Sequence, residues 1–186
     1  MIREIDLDID HTRLLGEFHK LNIIELFSTK TQIALQCRLN TSKESQLSEG
    51  CGSLVYNWDL YDPSKDTELA TRDEILAEPD FDVTCDLFKN TYFEEVIDAV
   101  NTRYSAYRGR LMMMPYKQCL SMHSDATNRI HIPLITNPYC FMVIANGVYR
   151  LATNKTYIVN TRIDHTAVNA GRYNRIHLVF CTDMEF

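Results

Sequence analysis

The sequence predicts a mainly β protein with flanking helices, in which an N-terminal α/β support precedes a C-terminal antiparallel β-sandwich or barrel. Three observations carry this expectation. Beyond residue 107, short β-like runs follow one another with turn residues between them, among them Thr136-Asn137-Pro138 and Asn146-Gly147, which is the pattern of sandwiches and barrels. From Asn90 to about Tyr104 the residues Tyr92, Phe93, Val96, Ile97, Val100 and Tyr104 recur at three- and four-residue spacing, giving one amphipathic helix with an apolar face to lay on a sheet. Ile2 to Ile9 reads as a strict alternation of Ile or Leu with charged positions, the two-residue period of a half-buried strand.

In chain order, a helix is expected from about Thr12 to Leu21 and a strand at Thr31 to Arg38. Asn40 to Gly52 is rich in Ser, Asn, Gly and charge, and Asp59 to Asp82 is acidic and polar with two prolines. Both read as loops or lid-like insertions. After the amphipathic helix the expected strands are Arg110 to Met114, Gln118 to Met122, Arg129 to Ile135, Cys140 to Ala145, Val148 to Ala152, Lys155 to Val159 and Asn174 to Cys181. With 186 residues, 45% of them hydrophobic, one domain with one core is expected over 1–186. Within it, 1–106 forms the support and substrate loops and 107–186 the core that carries the site.

Nineteen Lys and Arg against 25 Asp and Glu leave a net charge of -6 without a dense basic run, which argues against a nucleic-acid partner. The six cysteines stand singly, with no C-x-x-C pair, as in a protein with reduced thiols. MIREIDLDID has neither the positive end nor the unbroken apolar stretch of a signal peptide, and no segment suits a membrane span, so a cytoplasmic protein is expected. The Tyr56, Trp58 and Tyr61 group suits a substrate pocket or ordinary packing.

Alternation puts Arg129 and His131 on one face of their strand and Ile130, Ile132 and Leu134 on the other. Arg175 and His177 stand opposite Ile176 and Leu178 in the same way. Polar faces of this kind line an interior if the apolar faces are covered. In Met122-His123-Ser124-Asp125 a His and an Asp two residues apart on extended backbone point the same way, roughly 6 to 7 Å apart at Cα, and both can reach one ion. His165 is the candidate third ligand. Two imidazoles and a carboxylate form a facial triad with open positions, suited to Fe(II) oxygen chemistry. An oxoacid chelated there needs a cation for its far carboxylate. Arg175, ten residues past His165 and expected on the neighbouring strand, is the candidate, since its planar fork meets carboxylate with two hydrogen bonds.

The order H-x-D, R-x-H-I-P-L-x-T-N, H-T-x-V-N-x-G and R-I-H-L-V, from His123 onwards, resembles the aspartyl/asparaginyl β-hydroxylase family of Fe(II)- and 2-oxoglutarate-dependent oxygenases, which includes free-proline hydroxylases. The resemblance implies a double-stranded β-helix, the jelly roll of cupin-like proteins. It implies that His123, Asp125 and His165 hold the iron and that Arg175 binds the distal carboxylate of 2-oxoglutarate. Arg129 and His131 are implied near the metal-proximal carboxylate, and Asn169 as support behind the ligands. An amino acid, free or in a peptide or protein, is then the expected substrate, hydroxylated with release of succinate and carbon dioxide. The alternative is a jelly-roll protein that binds metal or ligand without turnover.

Overall fold

A computed structural model of the protein describes residues 1–55 and 76–186, and twelve strands and three α-helices form among these residues. The chain opens with β1 (Ile2–Ile5), α1 (His11–Lys20), α2 (Ile23–Leu26), β2 (Gln32–Ala34) and β3 (Gln36–Cys37). After the undescribed residues come β4 (Val83–Thr84), α3 (Tyr92–Tyr104), β5 (Ala106–Met114), β6 (Gln118–Cys119) and β7 (Asn128–Ile135). The last elements are β8 (Cys140–Ile144), β9 (Gly147–Tyr149), β10 (Thr156–Val159), β11 (His165–Asn169) and β12 (Arg175–Thr182).

Local chemistry sets the helix ends. Asp10 caps α1 by accepting from the Arg13 amide, and His19 and Lys20 stand in its last turn, where the helix dipole favours cations. The hydroxyl of Thr91 caps α3, Glu94 and Glu95 fill its first turn, and Ser105 in the left-handed region stops it. All six residues of the predicted apolar face of α3 are buried.

Among the described residues the strands form a six-stranded antiparallel sheet in the order β1-β10-β7-β12-β5-β2, a four-stranded sheet β6-β11-β8-β9, and the pair β3-β4. Alternation gives the large sheet two different faces. Ile130, Ile132 and Leu134 of β7 with Ile176, Leu178 and Phe180 of β12 pack beneath Leu14, Phe18, Phe93, Ile97 and Val100 of the helices. On the other face, Met114, Tyr157 and Val159 meet Met142, Ile144 and Ala167 of the small sheet. Two antiparallel sheets packed face to face, with helices backing the larger one, make the expected jelly roll. The space between the sheets is where the site lies.

Several element boundaries differ from expectation. The first strand is shorter than expected and ends at Ile5, where its pairing with β10 runs out at Thr156; the alternation is not strict either, since Arg3 and Glu4 are adjacent. Thr31 to Arg38 divides into β2 and β3 at Leu35, whose amide donates to the Gly109 carbonyl of β5 while its carbonyl accepts from the Cys85 amide, and β3 then pairs with β4. Strand β11 is an element the sequence did not announce. Asn40 to Gly52 holds turns, as expected of a loop, with Glu49 accepting from the amide and guanidinium of Arg38. Of Asp59 to Asp82 only the last residues are described, including a single 3-10 turn at Glu78–Asp80. Tyr56, Trp58 and Tyr61 lie outside the described residues.

Candidate active site

His165 opens β11, and His123 lies against it in an isolated antiparallel bridge, each amide donating to the other's carbonyl at 3.0 and 2.8 Å. Two residues on, the Asp125 amide donates to the Thr161 carbonyl at 2.8 Å. These backbone ties hold the two imidazole rings 4.3 Å apart at their centroids and place Asp125 Oδ2 3.7 Å from His165 Nε2. One ligand atom from each of the three side chains lies within 4.8 Å of the others. The sequence-predicted triad therefore converges.

The second nitrogen of each ring is also accounted for. His123 Nδ1 is 2.8 Å from the Ser121 carbonyl and His165 Nδ1 is 3.0 Å from the Ile163 carbonyl. A carbonyl only accepts, so both Nδ1 atoms carry the proton and both Nε2 lone pairs are free for a metal. Burial lowers the pKa of His165; the Ile163 carbonyl works the other way, and His123 beside it lowers it again. The ring is thus held neutral, the form that ligates.

Arg175 begins β12 and is buried. Its Nη2 approaches His177 Nδ1 at 3.2 Å, its Nη1 has the thioether of Met114 at 3.9 Å, and its Nε has no partner. No carboxylate faces it among the described residues. Burial lowers its pKa to about 10, opposed only by the Cys140 thiol, so the group is still cationic at neutral pH. A buried cation with no counter-ion calls for an anionic ligand. His165 and Arg175 are not on neighbouring strands, as the spacing suggested. One belongs to the small sheet and the other to the large sheet, and they face each other across the interior.

Arg129 and His131 line the same cavity. The Arg129 guanidinium is already engaged, with Nη2 2.9 Å from Glu78 Oε1 and 3.1 Å from Asp125 Oδ1, and Nη1 on the Thr127 hydroxyl. It orients the Asp125 carboxylate. His131 Nδ1 is 3.4 Å from His177 Nδ1, and burial, then Arg175, push the pKa of His131 well down, leaving it a neutral hydrogen-bonding group. Asn169 is fully buried but holds backbone. Its Nδ2 donates to the carbonyls of Met114, Pro115 and Tyr173, and its Oδ1 accepts from the Gly171 amide.

The cavity between the sheets has a volume of about 960 Å³ and takes in His123, Asp125, His165, Arg175, Arg129 and His131. It also takes in Arg108, Arg110 and Glu78, which sequence reasoning missed. Arg108 Nη1 is 2.5 Å from Glu78 Oε1, so one carboxylate serves two arginines.

The sequence model of the aspartyl/asparaginyl beta-hydroxylase family matches residues 65–184. The chain belongs to this family. No curated protein sequence matches the chain. Among solved structures, this family member is similar to a cupin domain from Bordetella pertussis Tohama I, with 13% identity, coverage of 41% of this chain and 81% of that one, and a TM-score of 0.37. It is similar to an oxidoreductase of the 2OG-Fe(II) oxygenase family from Burkholderia pseudomallei, with 17% identity, 50% of each chain and a TM-score of 0.39, and so covers half the length of that protein. IDO from Bacillus thuringiensis matches with 9% identity over 99% of this chain and 100% of that one, at a TM-score of 0.37. No helix among the described residues of this hydroxylase-family chain is long and apolar enough to cross a membrane.

Proposed function

We propose that the chain is a dioxygenase that binds Fe(II) through His123, Asp125 and His165, takes 2-oxoglutarate as co-substrate, and hydroxylates an amino acid or an amino-acid residue in a peptide or protein. The observation that carries this reading is the unpaired, buried Arg175 in the same cavity as the convergent triad. A structural metal site has no use for a guanidinium without an anion beside it. The donor set of two imidazoles and one carboxylate leaves half of an octahedral ion open, which suits a chelating oxoacid and dioxygen. Bound there, iron and oxoacid supply oxygen activation, with one oxygen atom entering succinate, the other entering the product hydroxyl, and carbon dioxide leaving.

The chain's residues do the rest. The carbonyls of Ser121 and Ile163 fix the ring tautomers, Arg129 fixes Asp125, and Arg175 receives the far carboxylate of the co-substrate. The jelly-roll walls, apolar at Met112, Met114, Met142 and Ala167, limit water around the reacting bond. The acidic chain, without a dense basic run in its sequence, suits a small or peptide substrate and a cytoplasmic setting.

Anaerobic addition of Fe(II) and 2-oxoglutarate is expected to raise the weak visible charge-transfer band of the chelate. His165→Ala is expected to abolish the band and lower succinate formation by a factor on the order of 100 or more. A band that survives His165→Ala would remove that residue from the site. A band without succinate release on any amino acid or peptide would favour binding without turnover.

A further inference from the structure

Strand β5 carries a bulge beside the cavity. Val179 pairs with Arg110 and Cys181 with Tyr107, so Phe180 alone stands opposite Arg108 and Gly109. A bulge of this kind re-aims a side chain out of the alternation of its strand. Gly109 permits it, because a Cβ there would lie 2.5 Å from the Phe180 ring, and its amide donates to Gln36 Oε1 at 2.8 Å. Arg108 adopts φ +51°, a left-handed conformation that an arginine holds only where its surroundings impose it. Its amide donates to the Phe81 carbonyl at 2.8 Å.

All three nitrogens of the re-aimed guanidinium are engaged. Nε donates to the Gly50 carbonyl at 2.9 Å, Nη2 to the Gly52 carbonyl at 2.6 Å, and Nη1 to Glu78 Oε1 at 2.5 Å. One side chain thus fastens two stretches of cavity wall, with Gly52 and Leu54 in one and Glu78 and Pro79 in the other. From Glu78 the contacts run on to the metal ligands. Glu78 Oε1 also holds Arg129 Nη2 at 2.9 Å, the same Nη2 is 3.1 Å from Asp125 Oδ1, and Asp125 Oδ2 is 3.7 Å from His165 Nε2. Arg108 and Arg129 are both buried, where each such contact is stronger than in water. Arg129 stands between two carboxylates, and the hold that one gains on it the other loses. With Glu78 fixed by Arg108, Arg129 is drawn towards Glu78 and Asp125 is left to an ion. With Glu78 displaced, Arg129 turns to Asp125 and competes with the ion.

We infer that Arg108 is a positioning residue for the metal site, coupling the fixing of the cavity wall at Gly50, Gly52 and Glu78 to the availability of Asp125. This assignment rests on the function proposed above. Coupling between two sites is reciprocal, so a fixed wall raises metal affinity and a bound ion firms the wall by the same factor. The ion is then held most tightly when the cavity wall is in place.

The test uses the full chain with Ni(II) as the probe. Arg108→Asn removes the guanidinium and keeps the backbone, since Asn tolerates the left-handed region, while Arg108→Lys keeps a charge without the fork. Ni(II) affinity, read by competition with a chromophoric chelator, is expected to fall on the order of tenfold in Arg108→Asn and by less in Arg108→Lys. In a Glu78→Gln background the contacts are already cut, and Arg108→Asn is expected to change the affinity by less than about twofold. Hydrogen exchange is followed with and without Ni(II) in peptides covering Gly50 to Leu54 and Leu76 to Phe81. Ni(II) is expected to slow exchange there in the wild type, and Arg108→Asn to lose that response while the response around His123 and His165 persists. A role confined to stability gives faster exchange with and without metal alike and leaves Ni(II) affinity unchanged. That result, or an Arg108→Asn loss that adds in full to the Glu78→Gln loss, overturns the assignment. If Arg108→Asn does not fold, a wild-type wall that ignores Ni(II), together with unchanged affinity in Arg108→Lys, overturns it equally. A wild type that binds no Ni(II) overturns the metal triad and the proposed function with it, whereas one that binds Ni(II) without these couplings overturns the role of Arg108 alone.

Discussion

At Arg175 the geometry of the cation matters as much as its charge. A planar guanidinium meets a carboxylate with two parallel hydrogen bonds, while an ammonium meets it as a point charge. Arg175→Lys is expected to raise the apparent KM for 2-oxoglutarate roughly tenfold to a hundredfold, with little change in metal binding. Titration of the charge-transfer band checks it, and an unchanged affinity would place the co-substrate elsewhere. The metal triad was legible at this scale because His and Asp at two-residue spacing state their shared direction on extended backbone. Arg108 was not legible: inside Tyr107-Arg108-Gly109-Arg110-Leu111 it has the pattern of any strand residue, and only the bulge opposite Phe180 sets it apart. The partner of Arg129 was equally hidden. Glu78 stands 51 residues before it, in an acidic stretch without periodicity.

Between β11 and β12 the chain must turn from the small sheet to the large one within five residues, and Asn169 closes that turn. The two N–H groups of its Nδ2, one of them shared between two acceptors, reach the carbonyls of Met114 at 3.1 Å, Pro115 at 3.2 Å and Tyr173 at 2.9 Å, tying the end of β5 to the segment that delivers Arg175. Asn169→Ala removes these bonds, leaving the Tyr173 carbonyl with the Asn137 side-chain amide alone, and is expected to cost about 1–3 kcal/mol of stability. It is also expected to weaken 2-oxoglutarate while sparing the metal, because it loosens the strand that carries the anchor. Thermal unfolding and oxoacid titration read the two effects separately, and a melting shift with unaltered titration would uncouple the turn from Arg175. The helices were readable in the sequence because their period, caps and burial agree: α3 begins two residues inside its predicted start and buries every predicted apolar position. Strand β11 was read as a motif and missed as an element, since His165-Thr166-Ala167-Val168-Asn169 is too polar to stand out among β-like runs. Its identity as a strand depends on pairing with β6 and β8, which local sequence does not encode.

Across the whole molecule, the acidic exterior and the cationic interior are joined through Glu78. Burial on its own pushes the pKa of this carboxyl up, but Arg129, the Thr127 hydroxyl and Arg108 pull it down further, from 4.5 to about 2. The folded state therefore prefers the ionised carboxylate more strongly than the unfolded chain does. The resulting stability is fully present above pH 4.5 and is lost as the pH falls from there towards 2; linkage sets it at about 3 kcal/mol. Glu78→Gln removes the negative charge between two buried arginines at every pH. The variant is expected to be less stable than the wild type at pH 7, with a difference that shrinks steadily below pH 4.5. Denaturant unfolding at pH 7, 5, 4 and 3 measures this, and a difference constant across that range would show that Glu78 acts by packing and not by charge. The same substitution leaves Arg129 with Asp125 as its one remaining carboxylate among the described residues. Metal affinity then drops together with stability at neutral pH, because the guanidinium competes with the ion for the carboxylate.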